Sequence, residues 1–278
     1  MQQAINLVAI QLVSSPDIDA NFVSVIEQIE LAANDWDTHL PALVVLPECF
    51  AYFGGDDAGT AGLLATSVQQ AIFERLRGLA RTYHVWLVAG SLPTPSPVPS
   101  KMYASALCFD PQGNPIGKYN KIHLFDVDIN DNTQSYRESA TTLAGDEVLV
   151  LETEFGRVGV CICYDLRFSE LFNAMVREQA IDYLVVPAAF TQATGEAHWH
   201  TLLAARAIEY QCYVIAANQG GTHLNGRQTY GNSAIYSPWG VLLDVIEYQA
   251  GFVIAKSDPT LQQHIQRTIN VQQQRKLF

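Results

Sequence analysis

Cysteine is scarce and poorly spaced for crosslinking. The 278 residues hold five, Cys49, Cys108, Cys161, Cys163 and Cys212, an odd number with no C-x-x-C pair. That excludes a disulfide framework, a zinc ribbon and a thioredoxin-like motif, and it fits a reducing, cytoplasmic compartment. Basic residues are few as well. Lys+Arg 16 against Asp+Glu 28 leaves a formal charge of −12, and no Lys/Arg cluster forms a phosphate-binding stripe, so nucleic acid is a poor partner. No apolar run approaches the ~20 residues that span a bilayer. The opening MQQAINLVAIQL lacks a basic segment and a cleavage site and reads as a strand. What is plentiful is hydrophobic sequence, 49% against 16% charged, so a sizeable core is expected and disorder is not. An acidic substrate would meet a repulsive global field, and its binding would need local cations.

Short β-rich runs alternate with helical periodicity. Residues 4–12, 42–46, 85–90, 102–109, 183–187 and 213–218 read as strands, and residues 148–151 and 158–163 read as a hairpin around the Glu154–Arg157 turn. Asp19 is a candidate cap for a helix in which Phe22, Ile26, Ile29 and Ala33 recur. Further helices are predicted over 67–82, 169–178, 198–210 and 258–267, and the proline-rich stretch 92–100 is predicted to be an exposed loop. Continuous apolar strands between helices imply sheets covered on both faces, and the hairpins imply mixed pairing. The expectation is one α/β domain over residues 1–278 with mixed sheets and helices outside.

Three strand ends carry polar residues where α/β sites are built: Leu46-Pro47-Glu48, Lys118-Tyr119-Asn120-Lys121, and the run Gly159-Val160-Cys161-Ile162-Cys163-Tyr164-Asp165. Singly each is ordinary: a solvated loop glutamate, a surface lysine, a small buried thiol. Together they supply the parts of thiol-based acyl transfer. A thiol must lose its proton to attack a carbonyl, and a carboxylate can take it. The oxyanion that follows can be held by a lysine ammonium and a backbone N–H, here Lys121 and Tyr164.

These stretches resemble the nitrilase superfamily of carbon–nitrogen hydrolases, specifically its Nit branch. The matching segments are LPE at 46–48, KIHLFDVD at 121–128, GVCICYDLRFSEL at 159–171, PAAF…TG at 187–195, HW…LLAARAIE at 198–209 and YGNSAIYSPWG at 230–240. The resemblance implies a four-layer α-β-β-α sandwich that pairs into a homodimer or higher even oligomer, and a catalytic triad of Glu48, Lys121 and Cys163. It implies that Glu138 positions the lysine, and that Arg167, Phe190 and Thr194 hold an α-keto-acid end. Relatives commonly have proline where this chain has Ser169, a first-turn position at which proline is only convenient. No cofactor, metal or membrane partner is implied, only a small-molecule amide with a carboxylate. Deaminated glutathione, cleaved to 2-oxoglutarate and Cys-Gly, is the leading substrate. ω-Amidase action on 2-oxoglutaramate, another small-amide or N-carbamoyl hydrolase, and an inert scaffold of the same fold are the alternatives.

Other residues compete for attention. Cys161 would share a strand face with Cys163, but the nucleophile belongs where the chain turns, which favours Cys163. Cys49 could be reactive, although packing is its ordinary role. His198 and His200 beside Glu196 invite a metal, yet residues two apart share a face only on a strand. His123 and Asp126 read as structural partners of the Lys121 loop, and Asp165 and Arg167 could pair with each other.

Overall fold

The computed structural model describes residues 3–128 and 135–276. In chain order the elements are β1 Asn6–Gln11, α1 Ile18–Ala33, β2 Ala42–Val45, α2 Asp57–Gly62, α3 Thr66–Tyr83, β3 Val85–Pro95, β4 Met102–Phe109, β5 Pro115–Asn120, β6 Asp126–Asp128 and β7 Ser135–Arg137. There follow β8 Leu149–Thr153, β9 Gly156–Val160, α4 Ser169–Met175, β10 Tyr183–Ala188, α5 Gln192–Tyr210, β11 Tyr213–Asn218, β12 Gly220–Thr222, β13 Gln228–Tyr230, β14 Ala234–Tyr236, β15 Leu242–Val245, β16 Gly251–Lys256, α6 Pro259–Thr268 and α7 Val271–Gln274. Two six-stranded sheets result, ordered β16-β1-β2-β3-β4-β5 and β15-β14-β11-β10-β9-β8. The centre of each is parallel (β1, β2 and β3; β9, β10 and β11), with antiparallel strands outside.

Period-two alternation explains the layering. Along β1 and β2, Leu7, Ala9, Leu43 and Val45 join the core shared with the second sheet, while Val8, Ile10, Val44 and Leu46 join a core with Phe22, Val25 and Ile29 of α1 and Ile72 and Leu76 of α3. Successive side chains of a strand point to opposite faces, so a strand buried on both sides is apolar through its middle, as β1 is from Leu7 to Ile10 between the buried, hydrogen-bonded Asn6 and Gln11. Trp199, Leu203 and Ala207 of α5 cover the far side of the second sheet. The architecture is the α-β-β-α sandwich.

The boundaries differ from the sequence expectations in places. Asp17, not Asp19, caps α1, its Oδ1 accepting from the Ala20 N–H at 3.0 Å, and Asp19 instead pairs with Arg75 at 2.6 Å. The predicted loop at 92–100 is partly strand, because β3 runs on through Pro93 and Pro95 opposite β4. β2 pairs with β3 only as far as Val88, and beyond that β3 is an edge, where a proline forfeits no ladder bond. Helix α5 starts six residues before its periodicity does, because Thr191 caps it and accepts from the Thr194 N–H. β9 stops at Val160, short of Cys163.

Candidate active site

Three strand ends converge. Glu48 follows β2, Lys121 follows β5 and Cys163 follows β9, and all three are buried, Lys121 at 2% exposure and Cys163 at 8%. Gly90 lets the Glu48 loop come close: a Cβ there would lie 1.7 Å from the Pro47 carbonyl oxygen. Lys121 Nζ donates to Glu48 Oε1 at 2.8 Å and to both oxygens of Glu138, at 2.8 and 3.1 Å. Glu138 is itself held by the Phe125 N–H at 2.7 Å. Asp126 accepts from the Ser139 N–H at 2.9 Å and so fixes the residue after Glu138. Burial works against the Lys121 charge, but the Glu138 and Glu48 carboxylates outweigh it and hold its pKa well above the ordinary value. The ammonium is therefore permanent.

The thiol is the opposite case. Burial first, and then the Glu48 charge, push the Cys163 pKa well up, against the partly offsetting pull of Lys121 and a hydrogen bond from the Ala189 backbone. Cys163 rests as a thiol with the Glu48 carboxylate in hydrogen-bond contact. Its backbone lies at φ +50°, a left-handed conformation uncommon outside glycine. Such strain persists only where neighbours over-determine it, and here Asp165 does so. Fully buried, it accepts from the Ile162 N–H at 3.0 Å, the Tyr119 hydroxyl at 2.8 Å, the His123 N–H at 2.9 Å and His123 Nδ1 at 2.8 Å. His123 in turn stacks on Phe168 at 3.8 Å. Cys163 opens a 3₁₀ turn over Cys163–Arg167, so the Tyr164 N–H is one of the unbonded donors of a helix start. The expected role of His123 in bracing the Lys121 loop is matched by this geometry, but the Asp165–Arg167 pair is not formed, since Asp165 is saturated by other donors.

A cavity of about 650 Å³ opens onto the three residues and is lined also by Glu138, Tyr164, Arg167, Phe190 and Thr194. The Arg167 guanidinium lies 5.2 Å from the Phe190 ring centre and 5.7 Å from that of Tyr164, and Nη1 is 3.2 Å from His198 Nδ1. Thr194 sits in the first turn of α5, its Oγ1 2.9 Å from that of Thr191. Every residue singled out for the site thus faces one cavity. His198 and His200 diverge on α5: His200 Nδ1 is 2.8 Å from the Tyr236 hydroxyl while His198 meets Arg167. The other thiols are subdued. Burial pushes Cys49 up to about 12, and Cys161 donates to the Val185 carbonyl at 3.6 Å within the core. Sequence reasoning missed the Asp165 brace, the Ala189 backbone donor and Arg227 in the cavity wall. Only the last had a signal, the Asn225-Gly226 dipeptide of a hairpin turn.

The sequence profile described as "Carbon-nitrogen hydrolase" matches residues 6–266. The chain belongs to the carbon–nitrogen hydrolase family. It is an amidase-type hydrolase, and its relatives refine that. The deaminated glutathione amidase of Synechocystis sp. (strain PCC 6803 / GT-S) is 39% identical over 254 residues, 90% of each chain. Omega-amidase NIT3 of Saccharomyces cerevisiae is 32% identical over 280 residues, covering 99% of this hydrolase and 94% of the yeast protein. The crystal structure of the C. elegans NitFhit protein superposes with a TM-score of 0.89 at 34% identity, covering 99% of this chain and 66% of that one.

Proposed function

We propose that this hydrolase cleaves the amide of deaminated glutathione to 2-oxoglutarate and Cys-Gly through a thioester on Cys163. The observation that carries the reading is a left-handed Cys163 beside the Glu48 carboxylate and the Lys121 ammonium, in a cavity that also holds the Arg167 guanidinium, which has no carboxylate partner among the described residues. Because Cys163 rests protonated, its proton must leave as it attacks, and Glu48 is the base in contact with it. Sγ bonds to the amide carbonyl carbon, and the oxyanion is held by Lys121 and the Tyr164 N–H. Glu48 then returns the proton to the departing nitrogen, the C–N bond breaks, and the acyl group remains as a thioester. Water deprotonated by Glu48 attacks that thioester, and the second tetrahedral intermediate expels the Cys163 sulfur and restores the thiol. Glu138 keeps Lys121 in place throughout, and Arg167, with Phe190 and Thr194, receives the keto-acid end.

The second reading is ω-amidase action on 2-oxoglutaramate, favoured by the 99% coverage of this chain by omega-amidase NIT3. The same residues would act, with ammonia leaving. Residues 1–278 act as one catalytic domain, in a cytoplasmic homodimer or higher even oligomer. Among the described residues no helix is long and apolar enough to cross a membrane. A panel of deaminated glutathione, 2-oxoglutaramate, an N-carbamoyl amino acid and a nitrile, read by product release, tests the assignment. Deaminated glutathione should give the highest kcat/KM, and preference for any of the other three overturns it.

A further inference from the structure

The cavity has more cationic capacity than the acyl half of the substrate uses. Of its cations, Lys121 is matched by Glu48 and Glu138, Arg137 by Asp128 at 2.7 Å, and Lys101 donates to the Ser139 carbonyl at 2.8 Å. Arg167 and Arg227 line the same cavity, and among the described residues neither has a carboxylate within ion-pair distance. Arg227 is built in rather than loose. It projects from the hairpin of β12 and β13, and its guanidinium carbon lies 5.0 Å from the Phe53 ring centre and 4.8 Å from that of Tyr136. Its Nε is buried with no acceptor among the described residues. The turn that carries it is pinned: the Arg227 carbonyl accepts from the His223 N–H at 2.9 Å, and the buried His223 ring lies against Phe53 at 4.2 Å. An unsatisfied buried donor is costly, and a guanidinium fixed between two rings gives up little further freedom when it binds.

We infer that Arg227 is the receptor for a carboxylate on the leaving amine, so the enzyme is built for amides that carry an acid at both ends. This rests on the amidase reading above and deepens it. One guanidinium suffices for the single carboxylate of 2-oxoglutaramate. Deaminated glutathione has two, the keto acid and the glycine terminus of its Cys-Gly half, and two guanidiniums with no carboxylate partner among the described residues face one cavity. The cavity's size also falls in the range that encloses molecules larger than a five-carbon acid. In a chain of net charge −12, an anion at the leaving end requires such a local cation.

The test compares deaminated glutathione with the same molecule ending in glycinamide, which removes only the terminal charge. Affinity is measured by calorimetry on the Cys163→Ala protein, so that no turnover is needed. With Arg227 present, the acid should bind roughly 10- to 100-fold more tightly than the amide. Arg227→Ala should bring that ratio to about one, and Arg227→Lys should restore part of it. A ratio near one with Arg227 intact, or an undiminished ratio in Arg227→Ala, overturns the inference. Failure of the amidase assignment would look different: unmodified enzyme turning over 2-oxoglutaramate better than deaminated glutathione, whatever the binding ratio.

Discussion

His223 couples acid to the stability of the wall that carries Arg227. The ring is 3% exposed, with Nδ1 2.9 Å from the Ser14 carbonyl and Nε2 2.7 Å from Thr229 Oγ1. A neutral imidazole satisfies both, donating from Nδ1 and accepting at Nε2. Burial lowers its pKa from 6.5 to about 4; the Ser14 carbonyl partly opposes this and the Arg227 charge adds to it. The folded value lies below the unfolded one, so the unfolded chain takes up the proton first. Stability linked to His223 is therefore complete above the unfolded value of 6.5 and is lost as pH falls toward about 4. Between about pH 7.5 and about pH 5 that loss comes to about 2 kcal/mol. Urea unfolding of the parent and of His223→Gln at both pH values isolates it. The substitution will shift stability by a constant from altered packing, but the parent should lose about 2 kcal/mol more than the variant on acidification. Equal losses in the two proteins would refute the reasoning, because the pH dependence would then come from other groups.

Cys163→Ala should abolish turnover while Cys161→Ala retains most of it, measured on purified folded proteins; equal loss would remove Cys163 from the nucleophile's role. Arg167→Ala should cost about 2–4 kcal/mol of transition-state binding for a keto-acid amide, roughly 30- to 1,000-fold in kcat/KM, and leave a neutral amide of similar length little changed. Loss of both activities alike would make Arg167 a packing residue. Light scattering should find a dimer or a higher even oligomer, because exposed Leu242 and Leu243 of the edge strand β15 continue an exposed apolar run from Trp239, at 54% exposure, and Val241, with exposed Ile208 against Gly240, a surface suited to a second copy. A lone 30.7 kDa species at micromolar concentration would contradict this.

What the sequence determined by itself was local and periodic. The continuous apolar runs inside β1, β2, β10 and β11 announced strands buried on both faces, because alternation disappears when neither face meets water. The order of Glu48, Lys121 and Cys163 after strands was legible because strand ends are where α/β sites form. Composition pointed away from a disulfide scaffold and a nucleic-acid partner before any geometry was known. Tertiary structure decided whatever depends on residues distant in the chain. The left-handed Cys163 has no signature of its own; it is held by Asp165, whose partners Tyr119 and His123 lie more than forty positions away. The resting state of the thiol, the permanence of the Lys121 charge and the depressed pKa of His223 follow from burial, which no single stretch of sequence specifies. The start of α5 was hidden for a similar reason. Its first turn has no apolar stripe and contains Gly195, a poor helix former, yet that glycine fits against the Tyr230 ring, where a Cβ would come within 2.2 Å. Arg227 looked like one more hairpin charge until Phe53 and Tyr136, about 174 and 91 residues earlier in the chain, closed on it, because only packing turns a solvated charge into a buried donor in need of an acceptor.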